Sequence, residues 1–234
     1  MGLLRAVISI LLQHEDKNIM AIAKENAIIT GGAIASMILN EPVNDYDIYF
    51  KNPESARSVA KYYLDRMHGI GAWSFIEEGE ESEFDSSRVR IKINSKGVAG
   101  TNEHEESEIN SGLRISGNAD LIGNNADINA YSCKFVTENA VTLSDQIQLI
   151  TRFTGTAEEI HSNYDFVHAM SSYDIGAGVL NIPPVVYECL INKELRYVGS
   201  LYPFASIVRI RKFITRGWTI NAGQILKMAI QLND

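Results

Sequence analysis

Two aspartates separated by one residue, Asp45 and Asp47, are the part of this sequence best suited to chemistry. In a β-strand alternate side chains face the same way, so these carboxylates would project from one face with their Cα atoms about 7 Å apart. Tyr46 and Ile48 would then point to the opposite side of the strand. Two carboxylates on one face are suited to hold a divalent cation such as Mg²⁺.

A glycine pair, Gly31-Gly32, precedes these acids. Glycine lets the chain turn tightly and lets the backbone approach a ligand that a Cβ atom would obstruct. Residues 33–39 are predicted to form a short helix after the turn, where backbone N–H groups and Ser36 would position phosphate oxygens. Because Mg²⁺ is usually held by one or two carboxylates and the phosphates of a substrate, the predicted ligand is a nucleoside triphosphate with Mg²⁺.

At these residues the sequence resembles the nucleotidyltransferase superfamily of DNA polymerase beta, the CCA-adding enzymes and the small bacterial nucleotidyltransferases. The shared pattern is a Gly-Gly or Gly-Ser turn, a short helix, and Asp-x-Asp or Asp-x-Glu on a strand. Gly31, Gly32, Asp45 and Asp47 match that pattern in order. The resemblance implies an α/β (α+β) fold, with a nucleotidyltransferase-like mixed sheet flanked by helices and a helical C-terminal part.

The superfamily also uses a third carboxylate on a later strand, and Asp165 is the best match. It lies within residues 163–170, an apolar run typical of a buried strand. Phage and mobile-element proteins similar to this superfamily carry a comparable passage, which implies a phage source. Asp127 is a competing candidate, although its Gly- and Asn-rich setting is better suited to a turn.

The resemblance implies in-line transfer of a nucleotide from the triphosphate to a hydroxyl acceptor. Asp45, Asp47 and Asp165 would hold two Mg²⁺ ions, with Mn²⁺ as an alternative metal, and Asp165 would serve the acceptor side. The acceptor remains open between RNA, protein and a small molecule, and the oligomeric state is also open. Two alternatives stay open as well: a catalytically inactive nucleotidyltransferase-like binding or structural protein, and a module that senses a nucleotide without transferring it.

Charge is distributed unevenly along the 234 residues. The net charge of −8 argues against a protein that binds nucleic acid nonspecifically over its whole surface. Residues 195–233 nevertheless contain no acid. On a predicted helix there, Arg209, Lys212 and Arg216 recur at helical spacing and share one stripe. That stripe is either a solvated face or a basic surface for the triphosphate or a nucleic-acid acceptor.

The predicted organisation is a catalytic domain at residues 1–175 and a helical part at residues 176–234. Helices are predicted at residues 185–197, 204–215 and 222–232, separated by glycine and proline. Residues 71–125, which are acidic and then rich in Gly, Asn and Ser, are predicted to be a mobile insertion that acts as a lid or recognises the acceptor. Residues 1–12 are predicted to form an opening amphipathic helix.

The remaining sequence signals favour an ordinary cytoplasmic protein, in the host cytoplasm if the protein is phage-encoded. Cys133 and Cys189 are predicted to be reduced thiols instead of a disulfide. No run reaches the roughly 18–20 consecutive apolar residues of a transmembrane helix, so no membrane partner is expected. His161 and His168 lie near the predicted site in sequence but lack the clustering of a zinc site, and structural roles are expected for them.

Overall fold

The computed structural model describes residues 16–67, 72–76, 88–94, 113–114 and 133–233. The predicted opening helix, most of the acidic insertion and the alternative acid Asp127 lie outside the described residues. Contacts divide the chain into two compact units: Met1–Ala27 with Ile48–Thr154, and Ile28–Asp47 with Gly155–Asp234. This division differs from the predicted boundary near residue 176, because residues 28–47 group with the C-terminal part of the chain.

The described residues form a mixed α/β structure, which confirms the predicted fold class. The helices are α1 (Lys17–Asn26), α2 (Gly32–Ile38), α3 (Pro53–Asp65), α4 (Ala157–His161), α5 (Pro184–Asn192), α6 (Pro203–Ile214) and α7 (Ala222–Gln231). The strands are β1 (Ala27–Thr30), β2 (Tyr46–Phe50), β3 (Ala72–Phe75), β4 (Ile91–Asn94), β5 (Leu113–Arg114), β6 (Cys133–Thr137), β7 (Ala140–Leu143), β8 (Ile147–Thr154), β9 (Ser172–Asp174) and β10 (Val179–Asn181).

The first unit is built on strands in the order β2-β8-β7-β6-β5, and a separate pair joins β3 to β4. Strand β8 alternates buried Ile147 and Leu149 with partly exposed neighbours, as expected for a strand with one face in the core. Helix α3 begins at Asn52, whose side chain accepts a hydrogen bond from the Ser55 backbone N–H, and Pro53 occupies its first turn. This helix packs against β8.

The second unit has the strand order β10-β9-β1-β2, to which it contributes residues 28–30 of β1 and residues 46–47 of β2. Strand β9 pairs antiparallel with both neighbours, and Tyr173 lies opposite Ile29 and Leu180. Phe166, Leu190 and Trp218 belong to the buried core of this unit.

The three predicted C-terminal helices are confirmed as α5, α6 and α7, although the first is shorter than predicted. Helix α5 ends at Asn192, because Lys193 takes a left-handed conformation with φ 46°. Leu195 then donates its backbone N–H to the Thr219 carbonyl instead of continuing the helix. None of the helices in the described part of the chain is both long enough and apolar enough to cross a membrane. Cys133 and Cys189 are free thiols.

Candidate functional site

The glycine turn joins β1 to α2 and adopts a conformation that glycine alone tolerates well. Gly31 has φ 90° and ψ −158°, a region of backbone space that is essentially restricted to glycine. Its backbone N–H donates to the Ala169 carbonyl at 3.2 Å, which fixes the turn against the segment after α4. The predicted tight turn is therefore present, and its geometry explains the need for glycine at this position.

The Asp47 carboxylate lies against this turn. A Cβ atom added at Gly31 would be 3.0 Å from Asp47 Oδ2 and 3.7 Å from Tyr164 Oη. At Gly32, which is exposed, an added Cβ atom would meet nothing within 4 Å. The first glycine thus permits close approach of a carboxylate, and the second leaves backbone open to a ligand.

Asp45 and Asp47 have the alternating exposure that the sequence predicts. Strand β2 begins at Tyr46, so Asp45 immediately precedes it, and both aspartates are partly exposed while Tyr46 and Ile48 are buried. Burial, and to a smaller extent the negative charge of Asp45, raise the pKa of Asp47 to about 7. The effect of Asp45 on Asp47 indicates that the two carboxylates are electrostatic neighbours.

Such a pair fits a divalent cation, because a cation would offset both the burial of Asp47 and its repulsion from Asp45. No three His, Cys, Asp or Glu side chains among the described residues are grouped so that they could hold a metal. Mg²⁺ at this pair would therefore take its other ligands from water and from the phosphates of a substrate, as this ion commonly does.

A cavity of about 80 Å³ opens beside Asp45, within the second unit. Its wall includes the start of α2, Asp45, and residues at the end of α6 and after it. Ser36, Lys212 and Arg216 contribute polar or charged side chains to that wall. A volume of this size accommodates one group of a ligand, such as a phosphate or a single ring, rather than a whole nucleotide.

The three residues of the predicted basic stripe differ in their interaction partners. Arg209 donates to Asp165 Oδ2 at 2.5 Å, and Arg216 donates to Glu41 Oε2 at 2.6 Å and more weakly to Ser36 Oγ at 3.4 Å. Lys212 is exposed and has no ion-pair partner among the residues that the structure describes. Lys212 therefore supplies positive charge to the cavity without a fixed counter-charge.

Glu41 is a component of this region that sequence reasoning missed. It accepts hydrogen bonds from Lys193 at 2.7 Å and from Arg216, and these two cations, Lys193 foremost, hold the pKa of its carboxyl below the usual value. The one signal in the sequence for Glu41 was its position between Ser36 and Asp45, two residues of the predicted site. Its partners lie far along the chain, so the pairing itself has no local signature.

Asp165 does not join the aspartate pair in this structure. Its carboxylate is mostly buried and is engaged by Arg209, and it belongs to no group of three potential metal ligands among the described residues. The prediction of a buried strand at residues 163–170 is wrong. Phe166 forms an isolated bridge with Tyr197, and Val167–Ala169 is a 3₁₀ helix. Three successive residues from Phe166 are buried, which an alternating strand with one buried face would not produce.

The two histidines near the predicted site have structural contacts. His161 Nε2 lies 2.7 Å from Thr30 Oγ1, and the His161 ring is 5.1 Å from that of Tyr164. The His168 ring lies 4.6 Å from each of the Phe213 and Trp218 rings. Neither histidine belongs to a potential metal-binding group within the described ranges.

Comparisons with known proteins identify the family of this chain. A family model described as Gabija anti-defense 2 family protein matches residues 3–190. The chain is 20% identical over 216 residues to Gabija anti-defense 2 of Bacillus phage SPbetaL7, and the match covers 92% of this chain and 39% of that protein. The chain thus spans well under half the length of this curated relative.

A solved structure of a CCA-adding enzyme shares the fold. The Thermotoga maritima CCA-adding enzyme, complexed with tRNA, is similar with a TM-score of 0.50 and 13% identity, over 97% of this chain and 45% of that chain. The Bacillus stearothermophilus CCA-adding enzyme, in complex with CTP, has a TM-score of 0.41 and 14% identity, over 88% of this chain and 40% of that chain. Because the family model matches most of its length, this chain belongs to the Gabija anti-defense 2 family.

Proposed function

We propose that this chain is a Mg²⁺-dependent nucleotidyltransferase that acts during phage counter-defence. It would transfer the nucleoside monophosphate group of a nucleoside triphosphate to a hydroxyl acceptor, with release of pyrophosphate and of the hydroxyl proton. The observation that carries the proposal is the close approach of Asp47 to the Gly31 turn, with Asp45 as its electrostatic neighbour. This arrangement places carboxylates and open backbone side by side. A metal-bound triphosphate requires both of these features.

The described residues divide the task between metal and phosphate. Asp45 and Asp47 would supply the carboxylate ligands of Mg²⁺, and Lys212 would contribute charge toward the triphosphate. Ser36 and Arg216, already in contact, would position phosphate oxygens at the cavity wall. Bound Mg²⁺ supplies Lewis-acid polarisation of the phosphoryl oxygens and lowers the pKa of an attacking hydroxyl.

The acceptor is proposed to be a macromolecule that is present in the host cell during phage infection. The family name points to a role against Gabija defence, and the fold is that of an enzyme solved with tRNA. RNA and protein hydroxyl groups are therefore the first acceptors to test. The region of the phage relative that this chain does not span would contribute to acceptor choice in that longer protein.

One observation favours a second candidate, a protein that binds a nucleotide without transferring it. Asp165 is held by Arg209 and does not complete a three-carboxylate group in the described residues. A site with two carboxylates still binds a metal-nucleotide complex. Such a protein would oppose defence by sequestering the nucleotide or by docking to a host protein.

The test begins with thermal unfolding in the presence of each nucleoside triphosphate, with and without Mg²⁺. Wild type, Asp45→Asn and Asp47→Asn are compared with Asp65→Asn, a matched control that removes an exposed carboxylate from α3. We expect Mg²⁺-dependent stabilisation of the wild type and the control. A ligand that binds the folded state raises the unfolding temperature. We expect no such rise for either site variant, because each lacks a carboxylate of the proposed metal pair.

Incubation with triphosphates labelled at the α-phosphate, together with RNA and protein from a phage host, then distinguishes the two candidates. Transfer of label by wild type and Asp65→Asn, and not by Asp45→Asn, supports the enzyme. Mg²⁺-dependent stabilisation without transfer of label favours the binding protein. Stabilisation that is the same in wild type, Asp45→Asn and Asp47→Asn would overturn the proposed site.

A further inference from the structure

Two buried nitrogen atoms in the cavity wall have no hydrogen-bond partner among the described residues. They are Nδ1 of His168 and Nε1 of Trp218. The two side chains are only 3% and 4% exposed, and both line the cavity beside Asp45. Leaving such an atom buried without a partner is unfavourable, so these atoms are expected to gain partners when the cavity is filled.

The surroundings of these nitrogens are aromatic. The rings of His168, Phe213 and Trp218 contact one another, with centroids separated by 4.6 Å, 4.6 Å and 5.8 Å. All three side chains line the same cavity. Aromatic rings with a few fixed polar atoms are typical of sites for planar ligands, which bind through a ring face and a polar edge.

The ionic groups of the cavity belong to a different part of the ligand. Lys212 and Arg216 contribute positive charge, and Asp45 contributes a carboxylate of the proposed metal pair. These groups suit phosphate and metal. The aromatic group is instead suited to an uncharged ring. Because the cavity accommodates one group and not a whole nucleotide, a ring would fill it and the phosphates would lie at its charged edge beside Asp45.

We propose that His168 and Trp218 form the subsite that recognises the nucleobase of the triphosphate, through hydrogen bonds to its polar edge. This inference rests on the proposed function, since it assigns part of the same site. The subsite would position the base and discriminate between nucleotides, while Asp45 and Asp47 act at the phosphate end. His168 and Trp218 are thus specificity-determining residues that the sequence motif does not include.

The state of His168 agrees with recognition of a base. Burial lowers the pKa of His168 to about 4; the nearby positive charge of Arg216 acts in the same direction, and Asp165 opposes them. The ring is therefore neutral near pH 7 and offers one donor and one acceptor. A neutral imidazole ring is suited to hydrogen-bond the edge of a base. An anionic phosphate would instead favour a charged imidazolium.

The experiment compares a nucleoside triphosphate with inorganic tripolyphosphate, which lacks a base. Binding of each, with Mg²⁺, is measured by calorimetry for wild type, His168→Phe and His168→Asn. Phenylalanine keeps a ring but removes both nitrogens, whereas asparagine keeps a polar atom near the position of Nδ1. Unfolding temperatures confirm that each variant is folded at the temperature of the measurement.

We expect His168→Phe to weaken binding of the preferred nucleoside triphosphate about tenfold or more, as for loss of a hydrogen bond to a buried group. Binding of tripolyphosphate should be unchanged, and His168→Asn should recover most of the nucleotide affinity. Equal weakening of both ligands, or unchanged nucleotide binding in His168→Phe, would overturn the base subsite. Absence of triphosphate binding by the wild type would instead overturn the proposed function.

Trp218 provides a second measurement should His168→Phe fail to fold. Trp73 and Trp218 are the two tryptophans of the chain, so Trp73→Phe makes Trp218 the sole tryptophan fluorophore. A change in its emission with nucleoside triphosphate, and none with tripolyphosphate, supports the base subsite. The base subsite would be refuted if the emission of Trp218 did not change although calorimetry showed that the nucleoside triphosphate was bound.

Discussion

Replacing Gly31 with alanine tests whether the glycine turn is built around the Asp47 carboxylate. The φ of 90° and ψ of −158° at this residue lie in a region that alanine avoids. The added methyl group would also lie 3.0 Å from Asp47 Oδ2, closer than ordinary van der Waals contact. The substitution therefore strains the backbone and displaces a residue of the proposed metal site.

Gly32→Ala is the matched control, because it adds the same methyl group one residue later. Gly32 is the first residue of α2, and an added Cβ atom meets nothing within 4 Å. Alanine at a compatible position usually stabilises a protein by about 0.4–1 kcal/mol, since it restricts the unfolded chain. The control should therefore be as stable as the wild type or slightly more stable.

The expected cost of Gly31→Ala is about 1–3 kcal/mol from backbone strain. For a chain of this size each kcal/mol shifts the unfolding temperature by roughly 2–4 °C, so a decrease of about 2–12 °C is expected. Urea denaturation of the two variants should give unfolding free energies that differ by roughly 1.5–4 kcal/mol. Nucleotide transfer by Gly31→Ala should fall further than its stability predicts, because the Asp47 carboxylate has to move.

Equal stability of Gly31→Ala and Gly32→Ala would refute this account of the turn. A destabilised Gly31→Ala protein that still binds Mg²⁺ and triphosphate with wild-type affinity would keep the strain argument. It would show, however, that the position of the Asp47 carboxylate is not critical for the ligand. The two measurements therefore separate the conformational role of Gly31 from its role at the site.

Three further predictions concern ionisable groups of the second unit. Glu41→Gln should lower the unfolding free energy by about 1 kcal/mol, because it weakens the hydrogen bonds that Glu41 accepts from Arg216 and Lys193. This loss of unfolding free energy should be smaller at high salt. Asp165→Asn should reduce stability by up to about 1 kcal/mol through its pair with exposed Arg209, while Mg²⁺-dependent stabilisation by triphosphate persists in unfolding assays. Loss of that stabilisation would restore Asp165 as a metal ligand. His168 takes up a proton near pH 6.5 when unfolded but only near pH 4 when folded, so stability should fall as the pH decreases through this interval. Denaturation as a function of pH should show this loss, of at most about 3 kcal/mol, and His168→Phe should abolish it.

The features that the sequence predicted well depend on local pattern. The turn at Gly31 requires a conformation specific to glycine, and β2 carries alternating buried and exposed residues. Helices α5 to α7 follow apolar spacing and are interrupted by glycine and proline. In each case the residues that determine the structure are neighbours in sequence, so the pattern is sufficient.

The predicted strand around Asp165 failed because an apolar run does not distinguish a strand from other buried structure. Phe166 is buried in the core of the second unit, and the chain then turns into a 3₁₀ helix. The partner of Asp165, Arg209, is 44 residues away in sequence. Pairings of this kind are set by tertiary packing, and neither residue carries a local signature of the other.

The position of Asp165 bears directly on what the site can do. Mg²⁺ needs only one or two carboxylates when substrate phosphates complete its coordination, so Asp45 and Asp47 would be sufficient for the proposed binding of a metal-nucleotide complex. Activation of an acceptor hydroxyl is a separate requirement, which a third carboxylate would serve in the resembling superfamily. If Arg209 releases Asp165 when an acceptor binds, the chain gains that group. If it does not, a water molecule or a phosphate oxygen of the substrate must accept the proton of the acceptor hydroxyl. Transfer of label by Arg209→Ala is therefore compared with transfer by wild type. Faster transfer by the variant would indicate a latent three-carboxylate enzyme, and unchanged transfer would indicate a site that works with two carboxylates.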